Sequence, residues 1–262
     1  EDFVKLVYPK RKNIEFVAVD KYDGKGASLG YSMLKAKNRL QCPFIYHAAD
    51  SIVVHPVPKP EKNWVGGYKG DVDATQYRSW QIVDEQTITL SEKGAIDFDY
   101  LHIGIAGIND YKKFWSILAR LYRENPHDDH LNDCSVIVEM IKGKITFDIV
   151  NFPVWHDVGN VTSLHRAREL MADKFHNLDK VDESIFLFEK FVVKFFANEK
   201  TVKERITRGK LLDGLVPPIE GVVKNFYRYK FVPGSLYSRV ATPQDFRNFL
   251  AWAKTNLWKK TR

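Results

Sequence analysis

Two acidic residues stand just past short apolar runs, and that placement constrains the fold more than any other feature of the chain. Asp50 closes Phe44-Ile-Tyr-His-Ala-Ala-Asp50, and Asp157 sits in Trp155-His-Asp-Val-Gly-Asn160, beyond the run Ile145 to Val150. Runs of this length bounded by turn residues predict buried strands. In an open α/β sheet, ligands bind in the crevice past the carboxyl ends of the strands. Two carboxylates offered there make a hard, oxygen-rich site suited to Mg2+ with a nucleotide phosphate. Taken singly, each Asp is ordinarily a turn residue or helix N-cap.

With 262 residues and 44% apolar content, the chain has enough material for two modest cores. Its two cysteines, Cys42 and Cys134, are far apart and lack neighbouring ligand spacing, which argues against a disulfide framework or a zinc motif and fits a cytoplasmic protein. No apolar run approaches a membrane span, and the opening Glu-Asp is not a basic-apolar signal. Without an initiator Met, the sequence is expected to start inside a longer polypeptide. The net charge of +7 is uneven: residues 181–262 carry 16 Lys and Arg against 8 Asp and Glu. A solvated helix face explains most of that excess, and no nucleic-acid-binding motif accompanies it.

The first two thirds alternate. Ile14 to Val19 is expected as a strand, Ala27 to Leu40 as a helix and Pro43 to His47 as a strand, a βαβ unit with Gly24, Gly26 and Gly30 around its strand-to-helix turn. Strands are expected at Trp80 to Val83, Thr87 to Leu90 and Tyr100 to Ile105. Helices follow at Asp110 to Glu124 and Leu131 to Lys142. His127-Asp-Asp129 matches H-x-D but is better taken as a helix entry.

The segments Gly26-Ala-Ser28, Phe44 to Asp50, Ser91-Glu-Lys93, Ile103-Gly-Ile105 and Trp155-His-Asp157-Val-Gly159 occur in the order found in sugar-phosphate nucleotidyltransferases. Residues 5–175 resemble that nucleoside-diphosphate-sugar pyrophosphorylase group. The resemblance implies a Rossmann-like α/β domain with a mixed, mainly parallel sheet and flanking helices. It implies that Asp50 and Asp157 hold Mg2+ on the phosphates of a nucleoside triphosphate, that Gly26 and Ala27 touch the base, and that Glu92 and Lys93 meet the hydroxyl and phosphate of the acceptor. His102 and Gly104 fall in the substrate site. The acceptor would be a sugar phosphate or a small alcohol phosphate such as phosphocholine. Two departures stand out: no G-x-G-x-R loop precedes the match, and Gln76-Tyr-Arg78 replaces the usual Gly-Tyr-Gly.

The last third has the order β-β-α-β-β-α, through Ser184 to Phe196, Glu199 to Leu212, Ile219 to Val223, Phe226 to Val232 and Pro243 to Trp258. It resembles the amino-terminal lobe of kinases of the choline-kinase and aminoglycoside-phosphotransferase type. That implies ATP phosphates at Lys194, with Glu204 as its helix partner. The expected organisation is therefore a nucleotidyltransferase domain at 1–176, incomplete at its start, a linker at 177–182, and a small α+β kinase-like lobe at 183–262, incomplete at its end. The resemblance implies a bifunctional parent enzyme of surface-polysaccharide precursor synthesis, of which this segment alone would be inactive. The alternative is a catalytically silent nucleotide- or partner-binding module.

Overall fold

The computed structural model describes residues 1–70, 72–84, 87–171, 176–235 and 237–258. The chain divides into two compact units, residues 17–169 and residues 1–16 together with 170–262. Helix α1 (Asp2–Val7) thus belongs with the C-terminal part, and the expected linker at 177–182 falls inside that second unit.

The unit of residues 17–169 comprises α2 (Leu29–Ala36), β1 (Phe44–His47), β2 (Ser51–Val53), β3 (Trp64–Tyr68), β4 (Ser79–Asp84), β5 (Thr87–Ser91), β6 (Tyr100–Ile108), α3 (Tyr111–Glu124), α4 (Asp133–Lys142), β7 (Asp148–Asn151) and β8 (Trp155–Asp157), with α5 (Val161–Leu170) at its boundary. The class is mixed α/β, a central sheet with flanking helices. The sheet runs β5-β4-β6-β3-β7, and β1 pairs with the part of β6 that β4 leaves unpaired.

Strand β6 is apolar on both faces because both are covered. Ala106 and Ile108 join Trp80, Phe114, Leu118, Val136 and Ile137 in the larger core. Ile103 and Ile105 pack on Trp64, Phe152 and Trp155 in a second one. Helix α3 buries Phe114, Trp115, Ile117 and Leu118, a three-and-four spacing that puts one stripe on the sheet. Helix α4 starts with a capping box between Asn132 and Ser135.

The sheet is mixed, as expected: β1, β3, β4 and β7 run in one direction, while the central β6 and the edge strand β5 run opposite, so the pairings through β6 are antiparallel and β3 with β7 is parallel. One reversed central strand decides most of the ladder. The strand expected at Ile14 to Val19 does not form; Ile14 and Phe16 stay partly exposed, and no ladder partner reaches the segment among the described residues. Alternation alone cannot supply a partner.

The second unit adds β9 (His176–Asp179), β10 (Glu183–Leu187), β11 (Phe191–Phe196), α6 (Glu199–Leu211), β12 (Ile219–Val223), β13 (Phe226–Lys230), α7 (Tyr237–Val240) and α8 (Pro243–Asn256). Its sheet is antiparallel throughout, in the order β12-β13-β11-β10-β9. Strand β11 serves both faces. Val193 packs with Leu6 and Val7 of α1, and Phe196 packs with Val202 of α6 and Tyr227. Arg228 fastens α1 by donating to the Leu6 carbonyl at 2.8 Å while lying over the Phe191 ring. No helix among the described residues is long and apolar enough to cross a membrane.

Candidate active site

Short segments bring Asp50 and Asp157 together. The turn after β1 is fixed by Ala48, whose N–H donates to the Gly104 carbonyl at 2.7 Å. Gly104 has φ +70, and a Cβ there would sit 2.8 Å from that of Ala48. Next in the chain, Ser51 Oγ donates to the Ile103 carbonyl at 2.6 Å and accepts from Trp155 Nε1 at 2.8 Å. Strands β2 and β8 then pair as a ribbon with Ser51 opposite Asp157, and Val158 N–H donates to the Asp50 carbonyl at 2.8 Å. Asp157 therefore ends its own short strand, separate from β7, rather than closing the run at 145–150.

The two side chains meet at Gly159. A Cβ on that glycine would lie 3.1 Å from Asp157 Oδ1 and 3.3 Å from Asp50 Oδ2. The two oxygens are thus no farther apart than those distances summed, inside the about 8 Å within which one cation and its first-shell water can be shared. Asp157 is held in place by two donors, Gly159 N–H to Oδ1 at 2.9 Å and the Tyr77 hydroxyl to Oδ2 at 2.8 Å. Burial, followed by that bond to Asp157, pushes the Tyr77 phenol up to about 12. Asp50 is exposed. This pair of converging carboxylate oxygens fits a hard divalent ion such as Mg2+.

The other expected site residues are distributed more widely. Gly26 gives its N–H to Asp129, Ala27 N–H donates to the Gly24 carbonyl at 3.0 Å, and Gly30 N–H donates to the Leu131 carbonyl at 2.8 Å. The glycine turn is therefore packed on residues 126–131. Glu92 and Lys93 are exposed just past the end of β5. Glu92 pairs with Arg78 at 3.1 Å, and both line a cleft of about 380 Å³ that also includes Glu124, Asn125, Asp128 and Cys134 but neither Asp50 nor Asp157. Of the residues expected at the acceptor, Glu92 thus lines this cleft, and Lys93, next to it in the chain, is exposed beside it in sequence.

His102 is largely buried. Its Nε2 lies 3.3 Å from Cys134 Sγ and 3.6 Å from Asp133 Oδ2. Burial holds the imidazole below its ordinary pKa in spite of Asp133, and burial with the neighbouring Asp133 pushes the Cys134 thiol up. Tyr77 and Arg78 carry a signal in the sequence only as a departure from Gly-Tyr-Gly, and Asp133 and Cys134 carry none, since they sit in no recognisable spacing.

In the second unit, Lys194 is half-buried with its ammonium 5.8 Å from the Tyr229 ring centroid, and burial lowers its pKa. It lines a cavity of about 250 Å³ with Arg205, Arg208, Tyr227 and Tyr229. Glu204 is not its partner. That residue reaches Lys200 one turn back at 3.9 Å, and the carboxylate acting on Lys194 is Glu183. Helical phase puts Arg205 toward Lys194 and turns Glu204 to solvent.

The chain matches no family model and no curated protein. Among solved structures it is similar to an inositol-1-phosphate CTP transferase from T. maritima, with 17% identity and a TM-score of 0.44 over 57% of this chain and 64% of that one. A CTP:phosphocholine cytidylyltransferase from Streptococcus pneumoniae gives 16% identity and a TM-score of 0.48 over 65% of this chain and 72% of that one. A nucleoside-diphosphate-sugar pyrophosphorylase from Vibrio cholerae gives 12% identity and a TM-score of 0.37 over 52% and 61%. The chain thus spans less than two thirds of the length of the first and third of these proteins. Likenesses at this level do not say what the chain acts on.

Proposed function

We propose that residues 17–169 transfer a nucleotidyl group from a nucleoside triphosphate to the phosphate of a sugar or small alcohol. The observation that carries this is the meeting of Asp50 and Asp157 about Gly159, two hard ligands from segments a hundred residues apart. An acceptor phosphate oxygen attacks the α-phosphorus in line. The new P–O bond forms as the bond to the β-phosphate's bridging oxygen breaks, and pyrophosphate leaves. Asp50 and Asp157 would hold Mg2+, which would supply charge neutralisation at the reacting phosphate. Tyr77 and the Gly159 N–H keep Asp157 oriented toward Asp50. Lys93, exposed past β5, steadies the incoming phosphate, and Glu92 takes an acceptor hydroxyl after parting from Arg78. Gly26 and Ala27 border the base, and His102 and Gly104 support the substrate side.

The second unit is assigned to a kinase-like lobe that prepares the phosphorylated acceptor. Its support is the five-stranded antiparallel sheet with α6 after β11, and Lys194 in a cationic cavity with Arg205 and Arg208 where ATP phosphates would bind. The products fit cytoplasmic synthesis of surface-polysaccharide precursors. One observation favours a catalytically silent nucleotide-binding module instead: both Asp157 oxygens already have protein donors.

Pyrophosphate release separates the two. With Mg2+, each nucleoside triphosphate is tested against sugar phosphates and phosphocholine. Transfer requires release that falls at least about a hundredfold in Asp50→Asn and in Asp157→Asn. Nucleotide binding without release under any combination favours the silent module.

A further inference from the structure

A buried set of side chains outside the Asp50 and Asp157 pair has the composition and geometry of a transition-metal site. His102 lies on β6, and Asp133 and Cys134 open α4. His102 Nε2, Asp133 Oδ2 and Cys134 Sγ form a triangle with sides of 3.3 Å (N to S), 3.6 Å (N to O) and 3.9 Å (S to O). Tetrahedral Zn2+ has bonds of about 2.3 Å to sulfur and about 2.0 to 2.2 Å to nitrogen and oxygen, so the edges of its coordination tetrahedron are about 3.3 to 3.6 Å. The three atoms already outline one face of such a tetrahedron.

We propose that His102, Asp133 and Cys134 bind a zinc-class divalent ion through Nε2, a carboxylate oxygen and a thiolate, with a fourth position left for water. The donor set selects the metal. A thiolate and an imidazole suit Zn2+ and disfavour Mg2+, whose place is the all-oxygen pair at Asp50 and Asp157.

The electrostatics ask for a cation. Asp133 is 5% exposed, and among the described residues no Lys or Arg pairs with its carboxylate. Burial disfavours the charged form of the imidazole beside it. A buried carboxylate without a cationic partner is costly, and a bound ion removes that cost. Proton balance is simple: the Cys134 thiol loses one proton to solvent as its sulfur bonds the metal, and the neutral imidazole and the carboxylate lose none. Arg78, which acts on Cys134 from the cleft side, can then face a thiolate rather than a thiol. The cleft lined by Cys134 and Arg78 gives the ion a path in.

The same atoms do not make a cysteine-protease-like triad. That arrangement needs one imidazole nitrogen on the thiol and the other on the carboxylate. Here Nε2 faces both, and Nδ1 is buried with no partner. Metal on Nε2 leaves the proton on Nδ1 without an acceptor, and lack of such support weakens a site by about 10- to 100-fold. The ion is therefore held reversibly, and chelation should empty the site without unfolding the chain.

The test uses the whole chain with Cys42→Ser, so that Cys134 is the one remaining thiol. Titration with Co2+ should show one equivalent with a thiolate-to-cobalt charge-transfer band that Zn2+ displaces. The band should vanish in Cys134→Ser and weaken by at least about tenfold in affinity in Asp133→Asn, and it should survive in Asp50→Asn/Asp157→Asn. A band that persists without Cys134, or no band at saturating Co2+, overturns the proposal. Should the Cys134 variant fail to fold by circular dichroism, alkylation of Cys134 in the parent protein decides: Zn2+ should slow it at least about tenfold, and an unchanged rate overturns the site.

Discussion

Tyr77 donates its hydroxyl to Asp157 Oδ2 at 2.8 Å, from the segment where the sequence departs from the usual Gly-Tyr-Gly. The bond engages Oδ2, while Oδ1 accepts from Gly159 N–H and borders the same glycine as Asp50 Oδ2. In Tyr77→Phe the carboxylate gains a rotamer it now lacks. A hydrogen bond to a charged group is worth about 1.5 to 3 kcal/mol, and partial exposure brings the expected effect here to about 1 kcal/mol. The Mg2+ concentration for half-maximal activity should rise about fivefold while melting temperature stays nearly constant. An unchanged Mg2+ requirement would remove Tyr77 from the site.

Gly159→Ala tests the convergence more directly. Its new methyl would lie 3.1 Å from one carboxylate oxygen and 3.3 Å from the other, in the space a shared ion would use. We expect at least about a tenfold loss of Mg2+ affinity, about 1.4 kcal/mol, by calorimetry. Stability should change by no more than about 0.5 kcal/mol, as for other surface positions. Wild-type Mg2+ affinity in this variant would mean that the two Asp residues do not share an ion.

Ser51→Ala attacks the scaffold rather than the ligands. It strips a hydroxyl that serves the buried Trp155 indole and the Ile103 carbonyl at once. Leaving buried polar groups unpaired costs about 1 to 3 kcal/mol. Urea denaturation should show that loss with an unchanged slope. A loss below about 0.5 kcal/mol would show that water replaces the hydroxyl without penalty.

His102 sets a pH dependence. Its folded pKa is lowered from 6.5, by burial first and with Arg78 adding to it, while Asp133 opposes. The unfolded chain therefore binds the proton more readily. Stability from this group is complete above the unfolded value and declines as pH falls through about 6.5 toward the lower folded pKa. Chelator-treated protein should lose stability between about pH 7.5 and 5.5, and His102→Asn should lose clearly less over the same interval. Equal losses in both would assign the acid sensitivity to other groups.

Much of the fold was visible in the sequence where one element carries its own periodicity. The stripe of Phe114, Trp115 and Leu118 marks α3, and the apolar run of β6, interrupted by His102, marks a strand covered on both faces. The β2 and β8 ribbon was not visible, because strands of three residues have no period and Ser51 and Trp155 are 104 residues apart. Ile14 to Val19 erred in the other direction, with apolar content that meets no neighbouring strand. For the site, residue type and turn position were enough to single out Asp50 and Asp157. Lys194 was singled out too, but its helix partner was misassigned because one residue on α6 is 100° of rotation. The His102, Asp133 and Cys134 set was hidden, because it forms only when β6 packs against α4.

The ribbon pairing Ser51 with Asp157 also fixes when a cation can first matter to this chain. A chain emerging from the ribosome has Asp50 long before it has Asp157, and a carboxylate alone in an unfinished sheet holds Mg2+ poorly. If Mg2+ binds between the two, it arrives only after more than a hundred residues have been gathered into one closed loop. From then on it stabilises by mass action alone, about 2.7 kcal/mol at a hundredfold excess over its dissociation constant. Such an ion would act as a late check on the finished sheet, and the magnesium level would then bear on how long that sheet stays closed.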